Sequence, residues 1–280
     1  MFKKIVIADN CAAVANNVFN NYQDVSSISL IVGALFFTFQ IYGDFSGYSD
    51  IAIGTSRLFG FNLMRNFAFP YFSRDIGEFW RRWHISLSTW FRDYLYIPLG
   101  GSRGGTWSKI RNTFIIFLVS GFWHGANWTF VFWGGLNALY FIPLLLANKN
   151  RINLNTAAET RIFPSFKEIF QILTTFILTV FAWIFFRSEN LEMAFNYIKR
   201  MFFNFELTIP RGDGIGFDKN FLIILLIFIF IEWLQRNKEH ALEFDNVKLS
   251  RPIRWVAYYS IIILIHIFAG SQQNFIYFQF

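Results

Sequence analysis

His124 is the first residue to weigh, because of what surrounds it. It lies in residues 112–146, NTFIIFLVSGFWHGANWTFVFWGGLNALYFIPLLL, about 35 positions without Asp, Glu, Lys or Arg. An ionisable group that deep in an apolar run is costly to keep and is a functional candidate by default. A neutral imidazole there can accept a proton. Gly121 and Gly125 let a backbone or a substrate approach the ring, with Trp123 and Asn127 beside it. The alternative is a neutral histidine bonded to a neighbouring helix. His84 is the second candidate, a titratable group among aromatic residues in FWRRWHISLSTWFRDYLYIPLGGSRGG, residues 79–105. It too has a structural alternative. Asp44 and Asp50 stand in GDFSGYSD, where carboxylates at a membrane boundary can bind a cation, cap the next helix or line a polar tunnel. Capping suits Asp50, and Asp44 is the more suspicious of the two. His240, in a charged segment, reads as solvated, and His266 as hydrogen-bonded structure. His84, His124 and His266 are too far apart in sequence to propose a metal site.

Helices must position these groups. At helical spacing Trp80, Trp83, His84, Leu87, Phe91, Tyr94 and Leu95 share one side, while Arg82, Ser86, Thr89 and Asp93 share another. A single helix of this kind lies at a membrane surface or lines a polar passage. Its three arginines and Asp93 make a full lipid-facing span too costly. Pro98 stops it and the GGSRGG loop follows. Residues 26–42 read as a first span, with a short helix over 51–61 after the GDFSGYSD break. Residues 112–146 hold two spans, or one plus a re-entrant piece. Residues 149–167 form a polar connector, 169–186 a plain span, 193–205 an interfacial helix and 210–216 a turn. Residues 221–234 and 253–269 are further spans, and 1–8 an interfacial segment.

Composition agrees with this pattern. The 280 residues are 54% hydrophobic, 21% aromatic and 15% charged, with a mean hydropathy of +0.36. Soluble domains carry about 25% charge, so this is a multi-pass membrane protein. The net charge of +7 is spread over every polar segment, which suits anionic headgroups and excludes a nucleic-acid face. Cys11 is the one cysteine and sits with no histidine nearby in sequence, an unpromising nucleophile. Nucleotide-binding and serine-hydrolase motifs are missing from the sequence.

Two stretches, FWRRWHISLSTWFRDYLYIPLGG and SGFWHGANWTFVFWGGLNALY, resemble the signatures of membrane-bound O-acyltransferases. The branch is the bacterial one that contains the alginate O-acetyltransferase membrane subunit. YGDFSGYSDIAIG and the closing FIYFQF resemble it too. The resemblance implies an all-α fold, a multi-pass helical bundle with re-entrant or interfacial helices around a tunnel, as one domain over residues 1–280. Relatives carry more helices ahead of the segment like FKKIVIADNCA, so a C-terminal portion is expected.

The resemblance also implies a chemistry. His124 would be the catalytic residue and His84 its partner across the tunnel, with Asp44, Trp83, Asp93, Trp123 and Asn127 as tunnel candidates. Acetyl-coenzyme A would be the cytoplasmic donor, with no bound cofactor or metal. The acceptor would be a hydroxyl of an extracytoplasmic polysaccharide, alginate-like, with peptidoglycan and teichoic acid as alternatives. The other partners expected are membrane lipids and a periplasmic or extracellular acetyltransferase, in a bacterial inner membrane. Basic residues over 57–111 favour the cytoplasmic face. A transporter would also bury polar groups at mid-membrane, but no inverted repeat is visible. A non-catalytic scaffold is the remaining alternative.

Overall fold

The computed structural model describes residues 1–203, 219–243, 250–270 and 275. Among these residues the chain is all-α, with ten α-helices and no strand. They are α1 Asp9–Asn20, α2 Ser27–Leu58, α3 Ile76–Arg82, α4 Ile85–Phe91 and α5 Gly105–His124. There follow α6 Trp128–Leu146, α7 Phe166–Arg187, α8 Leu191–Phe203, α9 Lys219–Gln235 and α10 Arg251–Ile267. Three of them, α2, α6 and α7, are long and apolar enough to cross a membrane. The expected turn at 210–216, and all of the closing hexapeptide but Phe275, lie outside the described residues. The helices fall into two compact units, Met1–Arg65 with Lys199–Phe280, and Asn66–Ile198.

In the first unit a π-helical stretch, Lys3–Ala8, runs directly into α1. Both pack on α2, and Val6, Ile7 and Ala8 are buried there. Helix α2 continues for 32 residues straight through GDFSGYSD, where the sequence suggested a break. Glycine serves close approach here. A Cβ on Gly43 would stand 3.0 Å from the Lys3 carbonyl oxygen, and one on Gly47 would stand 2.9 Å from the Lys4 amide nitrogen. Asp50 therefore caps nothing, and its carboxylate pairs with Lys3 Nζ at 3.1 Å. Lys3 also reaches Glu232 of α9 at 3.2 Å, and Tyr42 donates to Glu232 at 2.8 Å. Lys4 pairs with Asp44 at 2.6 Å and with Asp9 at 3.6 Å. The acids that mimic a helix boundary in sequence are neutralised by two lysines from a different element. Cys11 is buried in the same packing, which pushes its thiol pKa up and leaves it inert.

The second unit is built on the α5–α6 hairpin. A Cβ on Gly121 would collide with the Phe130 carbonyl, and one on Gly134 with the Phe117 carbonyl. The two helices thus touch backbone to backbone at two levels. Helix α7 starts at a capping box, in which Ser165 and Glu168 satisfy each other's backbone N–H groups.

Candidate functional site

The chain from 79 to 96 does not form the single helix that its spacing suggests. Asp75 caps α3 by accepting from Glu78 N at 2.7 Å, and α3 ends at Arg82. Trp83 is extended and His84 adopts a left-handed conformation, φ 45° and ψ 57°. Helix α4 then begins, and a π-helical turn, Arg92–Tyr96, completes the segment. The break has a local cause. Ile85 and Ser86 give their N–H groups to Asn66 at 3.0 and 3.1 Å instead of to the preceding turn of α3. Upstream of the break the buried Glu78 carboxylate accepts from Arg74 Nε and Arg82 Nε, each at 3.0 Å. Those arginines, with Arg81, also bond carbonyls of Asn150, Asn153 and Asn155 in the connector after α6.

His124 is the last residue of α5. Its ring lies within aromatic walls: Trp123 at 5.0 Å, Phe186 at 5.2 Å and Trp133 at 5.3 Å between centroids. Residues 125–127 turn the chain into α6, whose N-cap is Asn127, accepting from Thr129 N at 3.1 Å.

The two imidazoles meet at one cavity. It has a volume of about 140 Å³ and is lined by Trp80, Trp83, His84, Leu87, Ser88 and Phe91 on one side. Ile116, Phe117, Ser120, His124 and Phe141 form the other. Trp83 is buried, stacked on Phe79 with centroids 5.6 Å apart. His84 lies in the break between α3 and α4, outside the three membrane-length helices. Burial pushes its pKa from 6.5 down to about 4, so its ring is neutral at neutral pH. Its Nδ1 lies 3.5 Å from Ser86 Oγ. The arrangement can hold a small apolar group against two nitrogen atoms that accept or donate a proton.

Asp93, Trp123 and Asn127, expected residues in the same unit, do not line this cavity. Asp93 is exposed on the π-helical turn and pairs with Arg92 at 2.6 Å. Trp123 is 54% exposed, touching the His124 ring from outside. Asn127 spends its side chain on the α6 cap and on the Glu189 carbonyl at 2.7 Å. Asp44 belongs to the lysine cluster of the first unit. His240 is partly buried with Nε2 3.2 Å from Arg57 Nη2, so it is not simply solvated, and His266 is exposed. No group of three His, Cys, Asp or Glu able to hold a metal occurs among the described residues. Asn66, Glu78, Ser88, Phe117, Ser120 and Phe141 were not legible as site residues. Asn66 alone carried a signal, an Asx residue in a proline-broken stretch of the kind that caps helices.

An all-helical membrane protein with two imidazoles on one apolar cavity is the class that this fold and site define. Residues 12–187 match the membrane-bound O-acyltransferase family, MBOAT, and the chain belongs to it. Both imidazoles fall inside the matched stretch. The chain is 46% identical over 200 residues to a probable alginate O-acetylase AlgI of Pseudomonas aeruginosa, covering 71% of this chain and 36% of that protein. It is 38% identical over 296 residues to the protein of the same name from Pseudomonas putida, covering 99% of this chain and 59% of that protein. To a peptidoglycan O-acetyltransferase of Helicobacter pylori it is 35% identical over 303 residues, covering 100% of this chain and 55% of that protein. The chain thus spans between 36% and 59% of the length of these relatives.

Proposed function

We propose that this protein transfers an acetyl group from acetyl-coenzyme A to a hydroxyl of an extracytoplasmic polysaccharide, with His124 as general base and His84 as its partner. The observation that carries the reading is the convergence of both imidazoles on the one cavity of about 140 Å³. The names of the alginate-acting and peptidoglycan-acting relatives support an envelope polymer as acceptor. The acceptor hydroxyl gives its proton to a His124 nitrogen while its oxygen attacks the thioester carbonyl. The C–O bond forms, the C–S bond breaks, and the proton passes from the imidazolium to the departing thiolate. His84, neutral, can present an N–H to the carbonyl oxygen as negative charge builds on it. The aromatic walls keep water from the thioester. A bacterial cytoplasmic membrane and an acetyltransferase partner outside it complete the proposal.

The test is acetyl transfer from labelled acetyl-coenzyme A in membranes containing the full-length protein, with alginate and peptidoglycan as acceptors. His124→Gln keeps size and hydrogen bonding but removes the basic nitrogen. It should reach normal abundance and lose about 10²–10⁴-fold in rate. Near-wild-type rates in His124→Gln would end the catalytic assignment.

A further inference from the structure

We propose that Asn66 is a positioning residue for His84: it caps α4 from outside the helix and so holds the left-handed backbone that places the His84 imidazole at the cavity. The inference rests on the reading of His84 as the partner of His124.

A helix start leaves backbone N–H groups without partners unless a cap supplies them. His84 occupies the N-cap position of α4, yet its own side chain makes no capping bond. The role passes to Asn66. Its main-chain oxygen accepts from Ile85 N at 3.0 Å and its Oδ1 accepts from Ser86 N at 3.1 Å. The same strand of chain grips the other side of the break. Ala68 N donates to the Arg82 carbonyl at 2.9 Å, and Arg82 Nη1 donates to the Ala68 carbonyl at 3.1 Å. His84 is therefore bracketed by bonds from residues 66 and 68. The bracket is anchored in turn: Tyr71, in the 3₁₀ turn Pro70–Phe72, packs on Phe79 and Trp83 at 6.3 and 5.9 Å.

A non-glycine residue persists in the left-handed region only where its surroundings over-determine it. Without the Asn66 amide, the spacing of residues 79–95 favours joining α3 to α4 through a right-handed His84. The ring would then leave from a different direction. The side-chain bond to Ser86 N matters twice, because Ser86 Oγ lies 3.5 Å from His84 Nδ1. One amide thus fixes both the backbone of His84 and a hydroxyl beside its ring.

The experiment compares Asn66→Ala, Asn66→Asp, His84→Ala and the double variant Asn66→Ala/His84→Ala in membranes of the full-length protein. Abundance, kcat and donor KM are read for each. Asn66→Ala should accumulate normally and lose at least about tenfold in kcat with KM little changed, since a misplacement of about 1 Å can cost about 10²-fold. Asn66→Asp keeps an acceptor oxygen in place and should retain most of the rate. The double variant should be no slower than His84→Ala, because Asn66 acts through His84. If Asn66→Ala fails to accumulate, Asn66→Gln carries the test, since its extra methylene displaces the acceptor oxygen. Wild-type kcat in Asn66→Ala or Asn66→Gln overturns the proposal, as does an Asn66→Asp as slow as Asn66→Ala. Additive losses in the double variant, with His84→Ala impaired, refute the positioning role alone. Wild-type turnover in His84→Ala refutes the reading of His84 itself.

Discussion

Replacing Gly121 by Ala tests how the α5–α6 contact governs the site. The added Cβ would fall on the Phe130 carbonyl, a backbone group that cannot rotate away. A carbon and a carbonyl oxygen tolerate an approach of about 3.3 Å, so the helices must part by something on the order of 1 Å. Two free-energy effects oppose each other. Ala is favoured over Gly in a helix by about 1 kcal/mol. Overpacking against an unyielding neighbour costs about 1–3 kcal/mol, and backbone places this case at the upper end. The net expectation is a loss of about 1–2 kcal/mol of stability. Activity should suffer more, because His124 lies three residues on, less than one turn away, and moves with the helix. A displacement of about 1 Å predicts about a 10²-fold fall in acyl transfer. Gly54 is the control. It lies inside α2, and among the described residues no atom stands within 4 Å of the place an added methyl group would take. Gly54→Ala should therefore be neutral or gain up to about 1 kcal/mol. The assay is thermal unfolding in detergent together with turnover per folded molecule in membranes. Wild-type melting and turnover in Gly121→Ala would refute the reasoning, and equal damage from Gly54→Ala would show that the effect is generic.

Lys3→Met strips the ammonium from Asp50 and from the buried Glu232, and should cost about 3–5 kcal/mol, partly recovered by adding Glu232→Gln; an unchanged melting point in Lys3→Met would count against the cluster. Glu78→Gln leaves the Arg74 and Arg82 guanidinium groups without their shared carboxylate and should cost about 3 kcal/mol or more, with faster proteolysis between residues 147 and 165. Unchanged cleavage there would show that the arginines hold the connector unaided. His84 titrates near 4 in the folded protein and near 6.5 when exposed, so between those values the unfolded chain binds the extra proton. Stability should therefore decline as pH drops from 6.5 towards 4, and His84→Gln should flatten that decline; equal slopes in both proteins would contradict the burial of the ring.

The legible parts of this protein were those that depend on local composition. Long runs without charge require helices in a membrane, because a backbone in lipid must satisfy its own hydrogen bonds. That reasoning placed α7 within a few residues, marked 112–146 as the uncharged run that holds α6, and singled out His124 as a group too costly to bury without purpose. Helical spacing also put Trp80, Trp83, His84, Leu87 and Phe91 together, and all five line the cavity. The same spacing failed at Tyr94, which is exposed. Periodicity assumes an unbroken helix, and this one is broken where Ile85 and Ser86 donate their N–H groups to Asn66, 18 residues before His84.

The remainder was decided by pairings between distant segments. GDFSGYSD has the composition of a helix break, yet α2 passes through it because Lys3 and Lys4 neutralise its carboxylates and its glycines admit their backbone. Nothing local to Asp50 or Glu232 announces that they share one ammonium across 182 residues of chain. The connector after α6 reads from its composition only as polar, but its carbonyls hold three arginines of α3 and the turn before it. Local sequence dictates where the hydrophobic effect puts a helix, since transfer of a run of side chains is a sum over neighbours in the chain. Where two imidazoles come to face one cavity depends on directional bonds and backbone contacts between residues far apart in the chain, and those exist only in the folded molecule.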